Sequence, residues 1–137
     1  MKEKSSVMLT FVALAVLALP AVAQHSDLSR VNVPFNFVAE NQRLQAGDYS
    51  IQRMQNGRLL IRSADGKVAT TVLSLPAPLQ TTATASEVVF NRYGGEYFLS
   101  EVRLQGQNTG REVFRGKKES ELARKGIPRT LASLAAR

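Results

Sequence analysis

The residues best suited to recognising a ligand lie in one short stretch, NRYGGEYF at residues 91–98. Arg92, Tyr93 and Tyr97 flank a glycine pair, which predicts a tight turn between two strands. Aromatic rings beside a guanidinium group can stack on a sugar or on an aromatic ligand. The same residues can equally be structural, because Arg92 opposite Tyr97 would form a cross-strand cation–π pair. Arg103, farther along the second strand, completes this set of candidate binding residues.

The same hairpin contains three carboxylates, Glu87, Glu96 and Glu101. Glycosidases use a pair of such acids for acid–base catalysis. Pairing about the glycine turn places Glu101 opposite Val88. It also puts Glu101 on the same face as Arg92 and Arg103, which would hold the carboxylate in an ion pair. An ionised, paired carboxylate is a poor general acid. We therefore predict a structural ion pair here and no enzymatic activity.

Composition excludes most other chemistries. The 137-residue chain has no Cys and one His, so it lacks disulfides, thiol nucleophiles and the His clusters of catalytic metal sites. His25 could bind a metal loosely together with the N-terminal amine of a processed chain. Its position near a terminus favours a frayed tail residue instead. We expect no cofactor, no metal site and no catalytic residues.

The first 23 residues have the features of a secretory signal peptide. Lys2 and Lys4 precede an uncharged apolar run at residues 7–19, and Pro20 is followed by the small residues AVA before Gln24. The run is short for a bilayer span, although an uncleaved anchor is the alternative. We predict cleavage after residue 23, a flexible segment at residues 24–29, and export to the periplasm or the extracellular space.

Alternating apolar residues begin at residue 30 and predict β-strands. Seven runs are separated by turn signals such as Asn56-Gly57 and Asp65-Gly66, at residues 31–38, 49–54, 58–63, 67–75, 87–93, 96–104 and 112–115. Pro34 lacks an N–H, so its strand should be at an edge or carry a bulge. Residues 30–115 therefore predict an all-β domain, a small antiparallel sandwich or partly open barrel of about seven strands with a filled core.

Positive charge is concentrated in a C-terminal segment. The chain has 18 Lys+Arg and 11 Asp+Glu, and eight of those bases, with three acids, lie at residues 111–137. Residues 116–137 predict a basic tail, helical at 120–125, ended by Gly126, with another short turn at 130–136. Its candidate partner-binding residues are Lys117, Lys118, Arg124 and Lys125. Such a segment could bind another envelope protein or an anionic envelope polymer, or could be only a solvated face. Nucleic acid is not expected, because Phe114 alone could stack on bases.

Three motifs resemble an uncharacterised family of small exported bacterial β-rich proteins: VPFNF at 33–37, LQAGDY at 44–49 and RYGGEYFLSEV at 92–102. The family pattern is V-P-F-x-F, L-P-A-G-x-Y and R-Y-G-x-x-Y-F-L-S-E-V, followed by a Gly-Arg step similar to Gly110-Arg111 and a charged helix. The resemblance implies export and a β-rich fold, and no activity. Asn91 stands where the family often has His, and Gln45 where it has Pro, which argues against catalysis at position 91.

These observations converge on an exported, non-enzymatic structural or interaction module of the cell envelope. The alternative is a small-ligand or glycan-binding β-domain that uses the Tyr/Arg hairpin.

Overall fold

The computed structural model describes residues 28–137, which form a mostly β structure with one short helix near the C-terminus. The strands and the helix follow in chain order: β1 (Leu28–Val33), β2 (Phe37–Ala39), β3 (Gln42–Leu44), β4 (Gly47–Arg53), β5 (Arg58–Ser63), β6 (Ala69–Pro78), β7 (Glu87–Tyr93), β8 (Glu96–Arg103), β9 (Thr109–Val113), α1 (Lys117–Arg124) and β10 (Arg129–Ala135). The predicted all-β class with a short C-terminal helix is confirmed. The predicted signal peptide and His25 lie outside the described residues.

One curved sheet runs in the order β1-β4-β5-β6-β9-β8, and β8 also pairs with β7, which in turn pairs with β10. All these pairs are antiparallel, whereas β2 joins β8 in parallel at Val38 and Phe98. The two ends of the strand path meet where the backbones of Arg30 and Arg137 exchange hydrogen bonds of 2.8 and 2.9 Å. The sheet is not closed by a continuous ladder, which fits the partly open barrel of the prediction.

Alternation along the strands places one apolar face of the curved sheet inside. Tyr49 and Ile51 of β4, and Leu59 and Ile61 of β5, are buried in one hydrophobic cluster. At its centre the Phe37 ring meets the rings of Tyr49 and Phe90 edge-on, at 5.3 and 5.4 Å between centroids. Such edge-to-face pairs are a favourable aromatic geometry. The interior is therefore filled by side chains.

The N-terminal strands differ from the prediction in their number and bounds. β1 begins at Leu28, and buried Ser29 pairs with Ile51, so the expected flexible segment at residues 24–29 is wrong for its last two residues. The single strand expected at residues 31–38 is divided, because Pro34 cannot donate to a ladder and β1 ends one residue before it. β3 lies outside the seven predicted runs and forms a hairpin with β2.

The C-terminal segment also differs from the prediction. The sequence predicts another short turn at residues 130–136, whereas β10 pairs with β7 over seven residue pairs. The residues of β10 that point inward, Ala132 and Leu134, pack partly buried against the core. This burial and the β7 ladder outweigh the helix preference of the alanines. The basic tail is thus one helix followed by a strand of the sheet.

Candidate functional site

The turn of the β7–β8 hairpin positions the Arg92 and Tyr97 side chains. Gly94 has φ 61° at the first central position of the two-residue turn, where glycine is favoured. Arg92 lies directly opposite Tyr97 in the ladder. Its guanidinium carbon is 5.4 Å from the centre of the Tyr97 ring, and its Nε donates to the Gly94 carbonyl at 2.7 Å. The cross-strand cation–π pair expected from the sequence is confirmed.

The two tyrosines of this hairpin lie on opposite faces of the sheet. Tyr97 stacks on Phe35 with ring centroids 3.7 Å apart, so the Phe35 ring covers one face of Tyr97. Tyr93 is 4% exposed and meets Phe98 edge-on at 5.8 Å. Adjacent strand positions alternate in direction. In this geometry Tyr93 and Tyr97 do not line one ligand platform, and of the hairpin's candidate residues Arg92 is the one exposed to solvent.

Arg103 lies at the other end of the hairpin, in an ion-pair cluster. It donates to Glu101 through Nε at 2.9 Å and Nη2 at 3.1 Å, and to Glu87 through Nη1 at 3.3 Å. Hydrogen bonding to Glu101 and the nearby charges raise the pKa of Arg103 above its ordinary value, although burial opposes this. The predicted ion pair between Glu101 and Arg103 is confirmed. Both carboxylates at this end therefore have a guanidinium partner.

A β-bulge changes the predicted register beyond the turn. β8 has one extra residue, Ser100, opposite the step from Val89 to Phe90, so Glu101 pairs with Val89 and not with Val88. Because Val89 and Arg92 point to opposite faces, the expected shared face of Glu101 and Arg92 is wrong. Arg92 forms no ion pair with any residue of the described range.

Glu119 fastens α1 to the outer face of β7. Its carboxylate is 3% exposed and accepts a hydrogen bond from Asn91 Nδ2 at 2.8 Å. The Tyr93 hydroxyl lies 3.5 Å from the same oxygen, and the Arg115 guanidinium lies 4.0 Å away. Glu119 is in the first helical turn, where the helix dipole favours a negative charge. The sequence pattern did not indicate that Glu119 is buried, and the polar Asn91 directly after the apolar residues 88–90 of β7 is the available signal.

The four candidate cations of α1 and its C-cap are exposed on the side of the helix away from Glu119: Lys117, Lys118, Arg124 and Lys125. Lys118 Nζ lies 2.5 Å from Glu96 in the β7–β8 turn. For Lys117, Arg124 and Lys125, the described part of the chain provides no ion-pair partner. The structure therefore brings the predicted tail residues together on one surface. It keeps Arg103 apart from them, in its own ion-pair cluster.

Residues 28–137 contain no group of three or more His, Cys, Asp or Glu side chains that could hold a metal ion. The same residues include no helix that is long and apolar enough to cross a bilayer. None of the protein-family models, curated proteins or solved structures compared with this chain matches it.

Proposed function

We propose that this protein is an exported, non-enzymatic interaction module of the cell envelope that binds an anionic envelope polymer through α1. The observation that supports this most directly is the burial of Glu119. Residues 115–129 contain six basic and two acidic residues, and burial of Glu119 leaves Glu121 as the exposed acid among them. A surface with this excess of cations attracts polyanions. We call the exposed side chains Lys117, Arg124 and Lys125 the basic surface.

The attachment of α1 supports binding by a rigid surface. Asn91 of β7 donates a hydrogen bond to Glu119. At the start of the helix, the backbone N–H of Lys117 donates to Asn41 Oδ1 at 3.0 Å. At the other end, the N–H of Gly126 donates to the Ala123 carbonyl. A helix that is already ordered loses little conformational entropy when its exposed side is covered. The basic surface is thus presented in a fixed arrangement.

Ion pairing of the carboxylates supports a function without catalysis. Glu87 and Glu101 share Arg103, and Glu96 is paired with Lys118 and lies 3.9 Å from Arg43. Contacts of this kind with basic side chains are typical of structural ion pairs. The alternative, glycan binding at the β7–β8 hairpin, would require the Phe35 ring or the Arg92 guanidinium to move away from the Tyr97 ring. The exposed basic surface requires no such rearrangement.

Binding to a soluble polyanion tests the basic surface. The chain from residue 24 onward would be titrated with dextran sulfate and with uncharged dextran by calorimetry at two salt concentrations. We expect binding to the sulfated polymer alone, weakened by salt because exposed charges are screened. The triple variant Lys117→Gln, Arg124→Gln, Lys125→Gln should lose about tenfold in affinity, equivalent to ~1.4 kcal/mol.

A matched control distinguishes binding at the basic surface from attraction by the net charge of the whole protein. The variant Arg30→Gln, Arg62→Gln, Lys67→Gln removes three exposed charges elsewhere on the described surface and should bind nearly as well as the parent. Equal losses of affinity in the two triple variants would contradict binding at the basic surface.

Export is tested separately, since protein recovered from the envelope fraction should begin at Gln24 by mass spectrometry. An intact N-terminus in that fraction would overturn cleavage at this position.

A further inference from the structure

A second cationic region lies outside α1, in a cleft beside the end of β4. The cleft has a volume of about 620 Å³ and lies between β4, β6 and the loop that joins β8 to β9. Its charged and polar lining includes Arg53, Thr82, Asn108, Thr109 and Arg111. Small-molecule sites in proteins have volumes of roughly 300–1,000 Å³. The cleft is therefore large enough for a small molecule and is lined by hydrogen-bonding groups.

Arg111 is held in the wall of this cleft by neutral oxygens. Its Nε donates to Ser74 Oγ at 3.0 Å, and its Nη2 donates to the carbonyls of Ser74 and Gly57 at 2.8 and 3.1 Å. A guanidinium group carries five N–H donors, and these contacts use three of them. The two donors on Nη1 have no partner among residues 28–137. Arg111 is thus fixed in place with one amino group still available.

The positive charges of the two arginines in the cleft are not balanced by acidic side chains of the described residues. Neither Arg53 nor Arg111 forms an ion pair with a described residue, and no acid contributes to the cleft lining. Burial and the neighbouring Arg53 charge both lower the pKa of Arg111 from its ordinary value. A partly buried guanidinium is normally stabilised by an anionic partner. The two arginines therefore repel each other at a position where an anion would relieve the repulsion.

We propose that the cleft between Arg53 and Arg111 binds the anionic group of a small polar molecule, a phosphate or carboxylate on a hydroxylated body. Arginine suits both groups, because its planar fork of donors matches their oxygens. A single phosphate ion would fill a small part of the volume. The hydroxyls of Thr82 and Thr109 and the amide of Asn108 provide hydrogen bonds for the uncharged remainder of the ligand.

Chemical-shift titration tests the site with defined probes: inorganic phosphate, glucose 6-phosphate, glucuronate and glucose. Concentrations up to about 10 mM would populate a site of even millimolar affinity. We expect the amides of residues 106–111 to shift with glucose 6-phosphate or glucuronate, more weakly with phosphate, and not with glucose. A preference for glucose 6-phosphate identifies a phosphate ligand, and a preference for glucuronate identifies a carboxylate ligand.

Substitution of Arg53 locates the binding without disturbing the fold, because its side chain is exposed and makes no hydrogen bond to a described residue. Arg53→Gln should weaken binding about tenfold, or ~1.4 kcal/mol. Arg62→Gln on β5, an equal loss of exposed charge, should leave the affinity unchanged. The triple variant of the basic surface should also bind these small anions normally. Unchanged affinity in Arg53→Gln, or no anion-dependent shift at residues 106–111, would overturn the proposal.

Discussion

Asn91 on β7 and Glu119 on α1 are joined by a buried 2.8 Å hydrogen bond between residues 28 positions apart in sequence. Both side chains are nearly inaccessible, at 4% and 3% exposed. The Asn91 amide donates to a carboxylate, and such charge-assisted bonds are stronger than neutral ones. Since this bond links the helix to the sheet, it fixes where the basic surface of α1 lies.

Replacing Asn91 by Ala should destabilise the protein by about 1–3 kcal/mol, because the Glu119 carboxylate would stay buried without its main donor. The measurement is urea denaturation followed by circular dichroism. Amide exchange should show faster opening of α1 than of β5, since the helix loses its attachment first.

A double-mutant cycle of Asn91→Ala and Glu119→Ala isolates the pair. The double variant should lose less stability than the sum of the two single variants. Glu121→Ala is the matched control on the exposed side of the same helix, with an expected change within about 0.5 kcal/mol. Strict additivity of the two single variants would show that Asn91 and Glu119 are not coupled.

Gly116 allows the start of α1 to approach the β2–β3 turn. A Cβ atom at this position would lie 2.6 Å from the side-chain oxygen of Asn41 and still nearer the Glu40 carbonyl. The backbone there is extended, so the restriction is steric. Gly116→Ala should destabilise by about 1–3 kcal/mol or more through overpacking. Gly95→Ala, with no atom within 4 Å of the added carbon, should remain near the parent by thermal denaturation. Equal midpoints for the two variants would contradict close packing at Gly116.

The strand pairing close to the hairpin turn could be predicted from the sequence, whereas the pairing farther from the turn could not. The glycine pair at positions 94 and 95 sets the register, so the pairing of Arg92 with Tyr97 was predictable. The bulge at Ser100 has no local signal in the sequence, and it moves Glu101 by one residue. Because side chains alternate in direction, that shift places Glu101 on the other face of the sheet.

Tertiary contacts, and not the local sequence pattern, explain why a strand forms at the C-terminus. The inward residues of β10 and of the position after it do recur at every second position, at 132, 134 and 136, but two are alanines, which are also strong helix formers. Burial of Glu119 depends on an amide donor on β7. The converging arginines at positions 53 and 111 are brought together only by the folded sheet, so no spacing rule could have paired them.

Protonation of Asp65 should weaken the β5–β6 turn at acid pH. Ser63 Oγ donates to its carboxylate at 2.6 Å and the Lys67 N–H at 2.9 Å, and these bonds lower the pKa of Asp65. A pKa lowered by folding adds stability above the unfolded pKa of about 3.9, and that stability is lost as pH falls through the folded pKa. Asp65→Asn should therefore flatten the dependence of unfolding on pH below about pH 4.

Titration of the Asp65 carboxyl by NMR checks the cause of this shift. Ser63→Ala removes the largest contribution, so the pKa of Asp65 should rise toward its ordinary value. Ser50→Ala, on the neighbouring strand β4, should leave it unchanged. An identical Asp65 titration in the Ser63→Ala variant and the parent would contradict the role of the hydroxyl.

Removal of β10 should abolish folding, although the sequence gives it the character of an appended tail. A chain ending at Gly126 would expose the β7 edge over seven residue pairs and lose the contacts of Leu134 with the core. It would also lose the backbone bonds between Arg30 and Arg137. We expect a loss of unfolding free energy comparable with the whole stability of a small domain, about 5–15 kcal/mol.

Removal of Arg137 alone is the control and should leave a cooperative transition, because the β7 ladder stays complete. A cooperative thermal transition in the shorter chain would show that β1 to β9 fold independently. Its absence would mean that binding by the basic surface can be tested only with substitutions, since deletion of the tail would also remove the fold.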